Sequence, residues 1–171
     1  AEGERDILIV DNLGTSDKWK NLIGKSFRKY VHKAQFREML RNDNITGSID
    51  AIVHLGACST TLEHDVDYLM DNNVEYSREV AEYALQRAIR FIYASSAATY
   101  GNGAEGYSDD HKELTKLKPL NPYGFSKHLF DLWLDRQKVL AAAVGLKFFN
   151  VYGPNEYHKT GQHSVAYKLF N

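Results

Sequence analysis

The stretch Arg-Phe-Ile-Tyr-Ala-Ser-Ser-Ala-Ala-Thr-Tyr-Gly, residues 90–101, has the pattern of a buried strand followed by a turn. Its first five residues have the aromatic and β-branched character of a short buried strand, and a cluster of small residues follows directly. Similar β-branched runs, each closed by turn-forming residues, occur at residues 7–10, 49–55 and 144–151. A weaker fifth strand is expected at residues 27–31.

Helix-like segments lie between these strands. Apolar residues recur at helical spacing within residues 34–41, 67–87 and 122–139. Strands and helices that alternate, with nearly continuous apolar strands, predict an α/β fold with a doubly wound parallel sheet. Ligands of such sheets bind at the carboxyl ends of the strands, so the residues that follow each strand are the candidates for function. The long polar segment 101–118 is expected to be a lid or a mobile connection.

The composition limits the kind of function. Of the 171 residues, 43% are hydrophobic and 25% charged, and 21 basic residues against 22 acidic ones leave a net charge of −1. The interspersed charges give no basic surface for nucleic acid or an anionic membrane. Cys58, the single cysteine, cannot form an internal disulfide, and the histidines show no metal-ligand spacing. We therefore expect a cytoplasmic protein with no metal site and no nucleic-acid or membrane partner.

Two strand ends carry candidate residues for nucleotide binding. Asp11 and Asn12 close the first strand, where an acidic residue either accepts hydrogen bonds from a ribose or forms a turn. Lys18 and Lys33 either neutralise a 2′-phosphate or are solvated surface lysines. The second strand ends in small residues, which let a ligand approach the backbone closely. Cys58 in that segment is interpreted as a packed thiol rather than a nucleophile.

The pair Tyr123 and Lys127 is the sharpest local signal. Asn121 is a good helix cap and Pro122 a good first residue, so the pair is expected to stack one turn apart at the start of a helix. A lysine ammonium at that distance would lower the tyrosine pKa from its ordinary value of about 10, which suits a base. A hydroxyl at residues 95–96 could hold a carbonyl or alcohol oxygen. The polar segment 148–159 is either a substrate site or a solvated strand exit.

These residues carry a family resemblance. Ser96 with Tyr123 and Lys127 matches the Ser, Tyr-x-x-x-Lys pattern of the extended short-chain dehydrogenase/reductase superfamily. Residues 95–101, 121–127 and 149–154 resemble blocks of its nucleotide-sugar branch. A narrower resemblance, to the members that act on an ADP-linked heptose, is carried by residues 11–13, 54–59, 70–73, 93–101 and 155–159. The resemblance is weakest over residues 101–118 and 141–143.

The resemblance implies how the chain is organised. Residues 1–152 would form an NADP-binding Rossmann-like domain without its first strand, and residues 153–171 would begin a substrate-binding region. The family opens with a strand and a Gly-rich turn, but no G-x-x-G-x-x-G occurs in this sequence. We therefore expect the natural polypeptide to carry roughly 20 further residues at its start, as a strand–turn–helix unit requires, and most of a substrate domain at its end. The 171 residues alone would neither bind NADP tightly nor turn over substrate.

The resemblance also implies an activity. By this resemblance, the protein would be a bacterial isomerase of lipopolysaccharide core precursor synthesis. It would invert C6″ of ADP-glycero-manno-heptose by transient oxidation and re-reduction. The cofactor would be NADP, with NAD as the alternative, and the enzyme would be a homo-oligomer, a pentamer by resemblance. Other extended reductases, such as a nucleotide-sugar 4-epimerase or 4,6-dehydratase, and a non-catalytic nucleotide-binding relative remain alternatives.

Roles follow from the resemblance residue by residue. Tyr123 and Lys159 would be the two acid/base groups, Ser96 would orient the reacting oxygen, and Lys127 would bind the nicotinamide ribose. The residues expected to contact cofactor are Asp11, Asn12, Lys18, Lys33, Leu55, Gly56, Ala57, Cys58, Ser59, Asn72, Lys127, Val151 and Lys159. The residues expected to contact substrate are Ser96, Asn150, Gly161 and Lys168.

Overall fold

The structure is a computed structural model that describes residues 6–156, 158–159 and 163–170. The chain divides into two compact units. The larger unit comprises residues 46–149, and the smaller unit comprises residues 1–45 together with 150–171. The expected domain boundary after residue 152 stays a prediction.

The larger unit is built on a three-stranded parallel sheet in the order β3-β4-β5. These strands span Ala51–His54, Arg90–Ser96 and Ala143–Phe148. The central strand β4 is the most deeply buried, since Phe91 is fully buried and Tyr93 nearly so. Strand β5 was expected to run to residue 151 but ends at Phe148, where its pairing partner Ser96 ends β4. Among the described residues, no strand pairs with the backbone beyond that point.

One expected helix of the larger unit is two α-helices joined by a wider turn. Helix α2 covers Val66–Leu69 and α3 covers Tyr76–Gln86, with a π-helical turn over Met70–Glu75 between them. The prediction of one regular helix over residues 67–87 is therefore wrong in this detail. The turn buries the three consecutive side chains Asn72, Asn73 and Val74, whereas a regular amphipathic helix buries one stripe of its surface.

Helix α4 begins where the sequence predicts. It spans Pro122–Arg136, and the Asn121 side chain accepts a hydrogen bond from the Gly124 N–H at 2.7 Å. Its start lies very close to the turn after β4, because a Cβ on Gly124 would lie 2.7 Å from the carbonyl oxygen of Ala98. Glycine at this position therefore permits the approach of α4 to the end of β4. The helix ends three residues earlier than expected.

The segment 101–118 is packed over much of its second half. A 3₁₀ helix spans His111–Lys116, and Leu114 and Leu117 are buried against Tyr100. The expectation of a lid or mobile connection is therefore not supported for this half, since a lid would have to expose both leucines to water.

The smaller unit has a parallel pair of strands. Strand β1, Leu8–Asp11, pairs with β2, Lys29–His32, and helix α1 follows at Lys33–Arg41. The weak strand expected near residues 27–31 is thus present. A 3₁₀ helix at Asp17–Leu22 and a short helix α5 at Val165–Phe170 complete the described elements. Among the described residues, no helix has the length and apolar character needed to cross a bilayer.

Candidate active site

Three polar side chains come together where β4 ends and α4 begins. Ser96 is the last residue of β4, Tyr123 lies in the first turn of α4, and Lys127 lies one turn further along the same face. Their exposed fractions are 8%, 9% and 5%. The Ser96 side chain also accepts a hydrogen bond from the backbone N–H of Ala98 at 3.1 Å, which fixes its orientation. The structure thus assembles this sequence-predicted trio.

The pKa of Tyr123 does not behave as the sequence suggested. Burial raises the pKa of Tyr123 above its ordinary value, a hydrogen bond with Ser96 opposes that rise, and the charge of Cys58 adds to it. The expectation that Lys127 would leave this pKa depressed is wrong for this structure. The cause is desolvation of the phenolate, a penalty that sequence spacing does not reveal.

The charge state of Lys127 reflects its burial. Burial lowers the pKa of Lys127 to about 8, and the carboxylate of Asp131 opposes that change. Burial, with a further contribution from the charge on Lys127, lowers the pKa of His54 to about 3. His54 is therefore neutral at pH 7, and its Nε2 lies 2.9 Å from the Ser77 Oγ.

Asn73 connects three elements of this site. It is fully buried, and its Oδ1 accepts hydrogen bonds from the Cys58 N–H at 2.8 Å and from Asn72 Nδ2 at 3.0 Å. Its Nδ2 donates to the Cys58 carbonyl and to Ser126 Oγ, both at 3.1 Å. The Ser126 hydroxyl in turn donates to the Tyr123 carbonyl at 2.7 Å. The loop after β3, the π-helical turn and the start of α4 are thereby held together.

The loop after β3 presents an open surface of small residues. Leu55 is 58% exposed, and a Cβ added to Gly56 would meet no atom within 4 Å. Ala57 and Cys58 are half-buried and Ser59 is exposed. Backbone in such a loop is accessible to a ligand while its far side is fixed through Asn73.

Asp131 is a buried carboxylate that sequence reasoning missed. It is 2% exposed and accepts hydrogen bonds from the Tyr93 hydroxyl at 2.9 Å, from Ser95 Oγ at 2.7 Å and from Lys147 Nζ at 2.7 Å. Lys147 Nζ also donates to Thr99 Oγ1 at 2.8 Å. The available signal was the four-residue spacing from Tyr123 to Lys127 to Asp131, which places all three on one helical face.

In the smaller unit, the structure brings Asp11, Asn12 and Lys18 together. Asp11 Oδ1 accepts hydrogen bonds from the Asn12 N–H at 2.7 Å and from Lys18 Nζ at 2.6 Å. Both side chains of the Asp11–Lys18 ion pair are 34% exposed. The Asn12 Oδ1 lies 3.4 Å from His32 Nε2. Lys33, the fourth predicted residue, begins helix α1 and is half-buried.

A second group of predicted residues in the smaller unit surrounds Glu156. This carboxylate is 4% exposed and accepts hydrogen bonds from the Ser164 N–H at 2.7 Å, the Ser164 Oγ at 2.8 Å and the Gly153 N–H at 3.0 Å. The Lys159 Nζ lies 3.9 Å from Glu156 Oε2. These contacts, led by the Ser164 N–H, lower the pKa of Glu156 to about 2. Sequence reasoning did not single out Glu156.

The remaining predicted residues of the smaller unit are less constrained. Asn150 and Val151 are exposed, and Lys168 is exposed on α5. Gly161, predicted to contact substrate, lies outside the described residues.

A parallel sheet with a serine at the end of its central strand, and a Tyr–Lys pair at the start of the next helix, defines a Rossmann-like α/β protein of the short-chain dehydrogenase/reductase type. Comparison with known families identifies the particular family within this class of proteins. The model of the NAD dependent epimerase/dehydratase family matches residues 1–171, and the chain belongs to that family.

Curated relatives are similar over nearly the whole chain. One from Nitratidesulfovibrio vulgaris strain DP4, named ADP-L-glycero-D-manno-heptose-6-epimerase, is 52% identical over 168 residues, which is 98% of this chain and 52% of the relative. One of the same name from Fusobacterium nucleatum is 46% identical over 172 residues, 99% of this chain and 52% of the relative. The chain thus spans about half the length of the curated relatives it matches.

Solved structures agree with this assignment. The crystal structure of Helicobacter pylori ADP-L-glycero-D-manno-heptose-6-epimerase superposes with a TM-score of 0.76 at 28% identity, covering 96% of this chain and 53% of that one. The UDP-Glc/GlcNAc 4-epimerase of Campylobacter jejuni gives a TM-score of 0.67 at 28% identity, covering 92% and 50%. The resemblance and the fold class predicted from the motifs are therefore confirmed.

Proposed function

We propose that the full-length protein containing this chain is an NADP-dependent epimerase that inverts C6″ of ADP-glycero-manno-heptose. The observation that carries the proposal is the buried Ser96–Tyr123–Lys127 arrangement in a chain 52% identical to a relative of that name. The curated relatives at 45–52% identity share the name, which favours this activity over a UDP-sugar 4-epimerase.

Each unit, taken by itself, has residues with the chemistry to contact part of a nicotinamide dinucleotide. Asp11, at the end of β1, offers carboxylate oxygens to an adenosine ribose, and the loop of residues 55–59 offers accessible backbone on a fixed base. Lys127 offers ammonium protons that can donate to a nicotinamide ribose hydroxyl. Asn72, Val151 and Lys159 are the further proposed cofactor contacts. A bound dinucleotide would supply the acceptor and donor of the hydride at C6″.

Tyr123 is the proposed acid/base group for the first half-reaction. As the C6″–H bond gives up its hydride, the C6″ hydroxyl proton passes to the Tyr123 oxygen, and Ser96 holds the sugar oxygen by hydrogen bonding. Because burial raises the pKa of Tyr123, this transfer needs stabilisation of the phenolate. The hydrogen bond with Ser96 provides part of it, and we propose that a positive charge on Lys127 adds to it in the complex with cofactor.

Lys159 is the proposed second acid/base group. Returning hydride to the opposite face of the C6″ carbonyl needs a proton donor other than the one used for oxidation. The Lys159 Nζ lies 3.9 Å from Oε2 of the buried Glu156 carboxylate, and this ion pair holds the ammonium group in position. Asn150, Gly161 and Lys168 are the proposed sugar contacts, with Ser96.

The preference for NADP rests on the smaller unit. Lys18 is already paired with Asp11 at 2.6 Å, so part of the negative charge that would repel a 2′-phosphate is neutralised. Asn12 and Lys33 are the additional proposed 2′-phosphate contacts. The cytoplasmic location and the pentameric homo-oligomer belong to the same proposal.

The test uses the full-length protein. Native and denaturing mass spectrometry identify any bound cofactor by mass, and nuclear magnetic resonance follows each C6″ epimer of ADP-glycero-manno-heptose. We expect bound NADP and an equilibrium mixture from either epimer. If the protein epimerises UDP-glucose and leaves ADP-glycero-manno-heptose unchanged, the 4-epimerase alternative is established. If the bound cofactor is NAD alone, the assignment of NADP is overturned.

A further inference from the structure

We propose that Asp131 is a positioning residue that keeps the Lys127 ammonium group charged inside the buried site. This carboxylate is not among the proposed sugar or cofactor contacts, and it acts through Lys127. Its consequence for catalysis rests on the function proposed above, whereas its effect on Lys127 does not.

The geometry of α4 places the two side chains together. Lys127 and Asp131 are four residues apart within one regular helix, so they stack on the same face. That face is buried, with exposed fractions of 5% for Lys127 and 2% for Asp131. An opposite charge at this spacing stabilises an ammonium group most where water is excluded.

The neighbours of Asp131 hold it as a carboxylate. Three donors, the Tyr93 hydroxyl, the Ser95 hydroxyl and the Lys147 ammonium, point at its two oxygens at 2.7–2.9 Å. A protonated acid could not accept all three so well, since one of its oxygens would carry the proton. Strand β4 supplies two of the donors and β5 the third. Asp131 is therefore a fixed negative charge one turn behind Lys127.

Burial disfavours the charged form of Lys127, and the carboxylate of Asp131 favours it. Desolvation lowers the pKa of Lys127 to about 8, with Asp131 as the opposing influence. Without the carboxylate, a larger fraction of Lys127 would be neutral at pH 7. A neutral amine is a weaker donor to a ribose hydroxyl, and it does not stabilise a phenolate at Tyr123.

Further titratable groups lie around this pair. They come from the elements packed around α4 and from α4 itself: His54, Cys58, Tyr93, Tyr123, His128 and Lys147. Burial lowers the pKa of both histidines and raises the pKa of both tyrosines. Lys147 forms a salt bridge with Asp131, and its side chain is 17% exposed.

Substituting Lys147 is expected to shift the titration of Lys127 in the opposite direction to substituting Asp131. The Lys147 ammonium group partly neutralises Asp131, so its removal strengthens the field of Asp131 at Lys127. Asp131→Asn removes the carboxylate and leaves Lys147 as an uncompensated cation. The two substitutions break the same ion pair but are expected to move the titration of Lys127 in opposite directions.

The experiment measures the titration of Lys127 directly in the full-length protein. Lysine labelled with ¹³C at Cε is followed by nuclear magnetic resonance from pH 5 to 11, with Lys127→Arg to assign the signal. We expect Asp131→Asn to lower the Lys127 midpoint by about one pH unit, as loss of a nearby opposite charge does. Lys147→Met is expected to raise the midpoint, and Asp131→Glu to keep it near the wild-type value.

The outcomes separate an electrostatic role from a structural one. Midpoints that stay unchanged, or move in the same direction in Asp131→Asn and Lys147→Met, would overturn the proposal. If Asp131→Asn does not fold, a Lys147→Met midpoint that fails to rise overturns it equally. The alkaline limb of the pH–rate profile for heptose epimerisation should move with each midpoint. Midpoints that shift as expected in a protein inactive on the heptose would leave the Lys127 inference standing and remove the proposed function.

Discussion

Two polar sites, one in each unit, differ in how far they are open to solvent. In the larger unit, Ser96, Tyr123 and Lys127 are each less than 10% exposed, and burial shifts the pKa of the tyrosine and the lysine. In the smaller unit, Asp11 and Lys18 form an ion pair whose side chains are 34% exposed. The ion pair is therefore partly open to solvent, whereas the trio is nearly closed to it.

This difference matches the chemistry proposed for these two sites. Proton transfer requires groups whose protonation is set by their surroundings, and desolvation is the strongest way to set it. Recognition of a ribose or phosphate requires groups that exchange water and each other for the ligand, and an ion pair that is partly open to solvent is weak enough to do so.

Tyr123→Phe should have the largest effect. It removes the phenol proposed to exchange the proton and keeps the ring that packs in the buried site. We expect turnover of ADP-glycero-manno-heptose to fall by roughly 10²–10⁴-fold, the usual worth of a general acid/base. Steady-state rates check this, with urea unfolding to show that the fold is kept. A rate within tenfold of wild type would remove Tyr123 from its proposed role.

Asn73→Ala should reduce stability more than any substitution at Asp11 or Lys18. The change leaves the Cys58 N–H and carbonyl without their side-chain partner in a site where Asn73 is fully buried. We expect the free energy of unfolding to fall by about 2–4 kcal/mol, since buried polar groups left unpaired are costly. Urea denaturation of the full-length protein measures it.

Asn44→Ala is the matched control for Asn73, because Asn44 is exposed. Its effect on the free energy of unfolding should stay within about 0.5 kcal/mol, as for most surface substitutions. Equal losses in the two variants would contradict the connecting role of Asn73.

Glu156→Gln should change how stability depends on pH. The folded-state pKa of Glu156 is about 2, below its ordinary value of 4.5. Its contribution is therefore complete above about pH 4.5 and is lost as the pH falls toward 2. We expect the variant to be less stable than wild type at pH 7, with the difference narrowing through that window. Thermal unfolding at several pH values measures it.

The exposed Glu82→Gln is the control for Glu156. The difference between that variant and wild type should not narrow over the same pH window. If Glu156→Gln also shows a constant difference from pH 7 to pH 3, the carboxylate does not organise its loop as described.

Lys18→Met should have the smallest effect on stability and a selective effect on binding. Breaking an exposed ion pair costs at most about 1 kcal/mol. Losing a charge-assisted contact to a 2′-phosphate should weaken NADP binding by about tenfold, while NAD binding changes little. Calorimetric titration with both cofactors checks this. Lys20→Met, which breaks the nearby Lys20–Asp17 pair, is the control and should leave both affinities unchanged.

Local signals in the sequence predicted the elements that local chemistry determines. The start of α4 follows from Asn121 and Pro122, and the position of β4 follows from its buried run; both are present. The Tyr123–Lys127 spacing was likewise sufficient to place both side chains on one face. Because these features depend on neighbouring residues alone, a single sequence contains the information for them.

Features that depend on distant partners were missed. Asp131 looks like an ordinary charged residue of a helix until Tyr93, Ser95 and Lys147 surround it, and Asn73 gains its meaning from Cys58 and Ser126. The pKa of Tyr123 was misjudged for the same reason, since its direction depends on how much water the fold removes.

The π-helical turn at Met70–Glu75 contains one residue more than a regular helix would need between α2 and α3. Its last bond runs from the Tyr76 N–H to the Asp71 carbonyl, one residue further than in an α-helix. Deleting one residue of the turn would let α2 and α3 join in one regular helix whose faces stay nearly in place, because the wider turn already absorbs one extra residue. The side chains within the turn would change direction, and Asn73 would lose its contacts with Cys58. The loss would therefore fall on the loop after β3 rather than on the packing of α3.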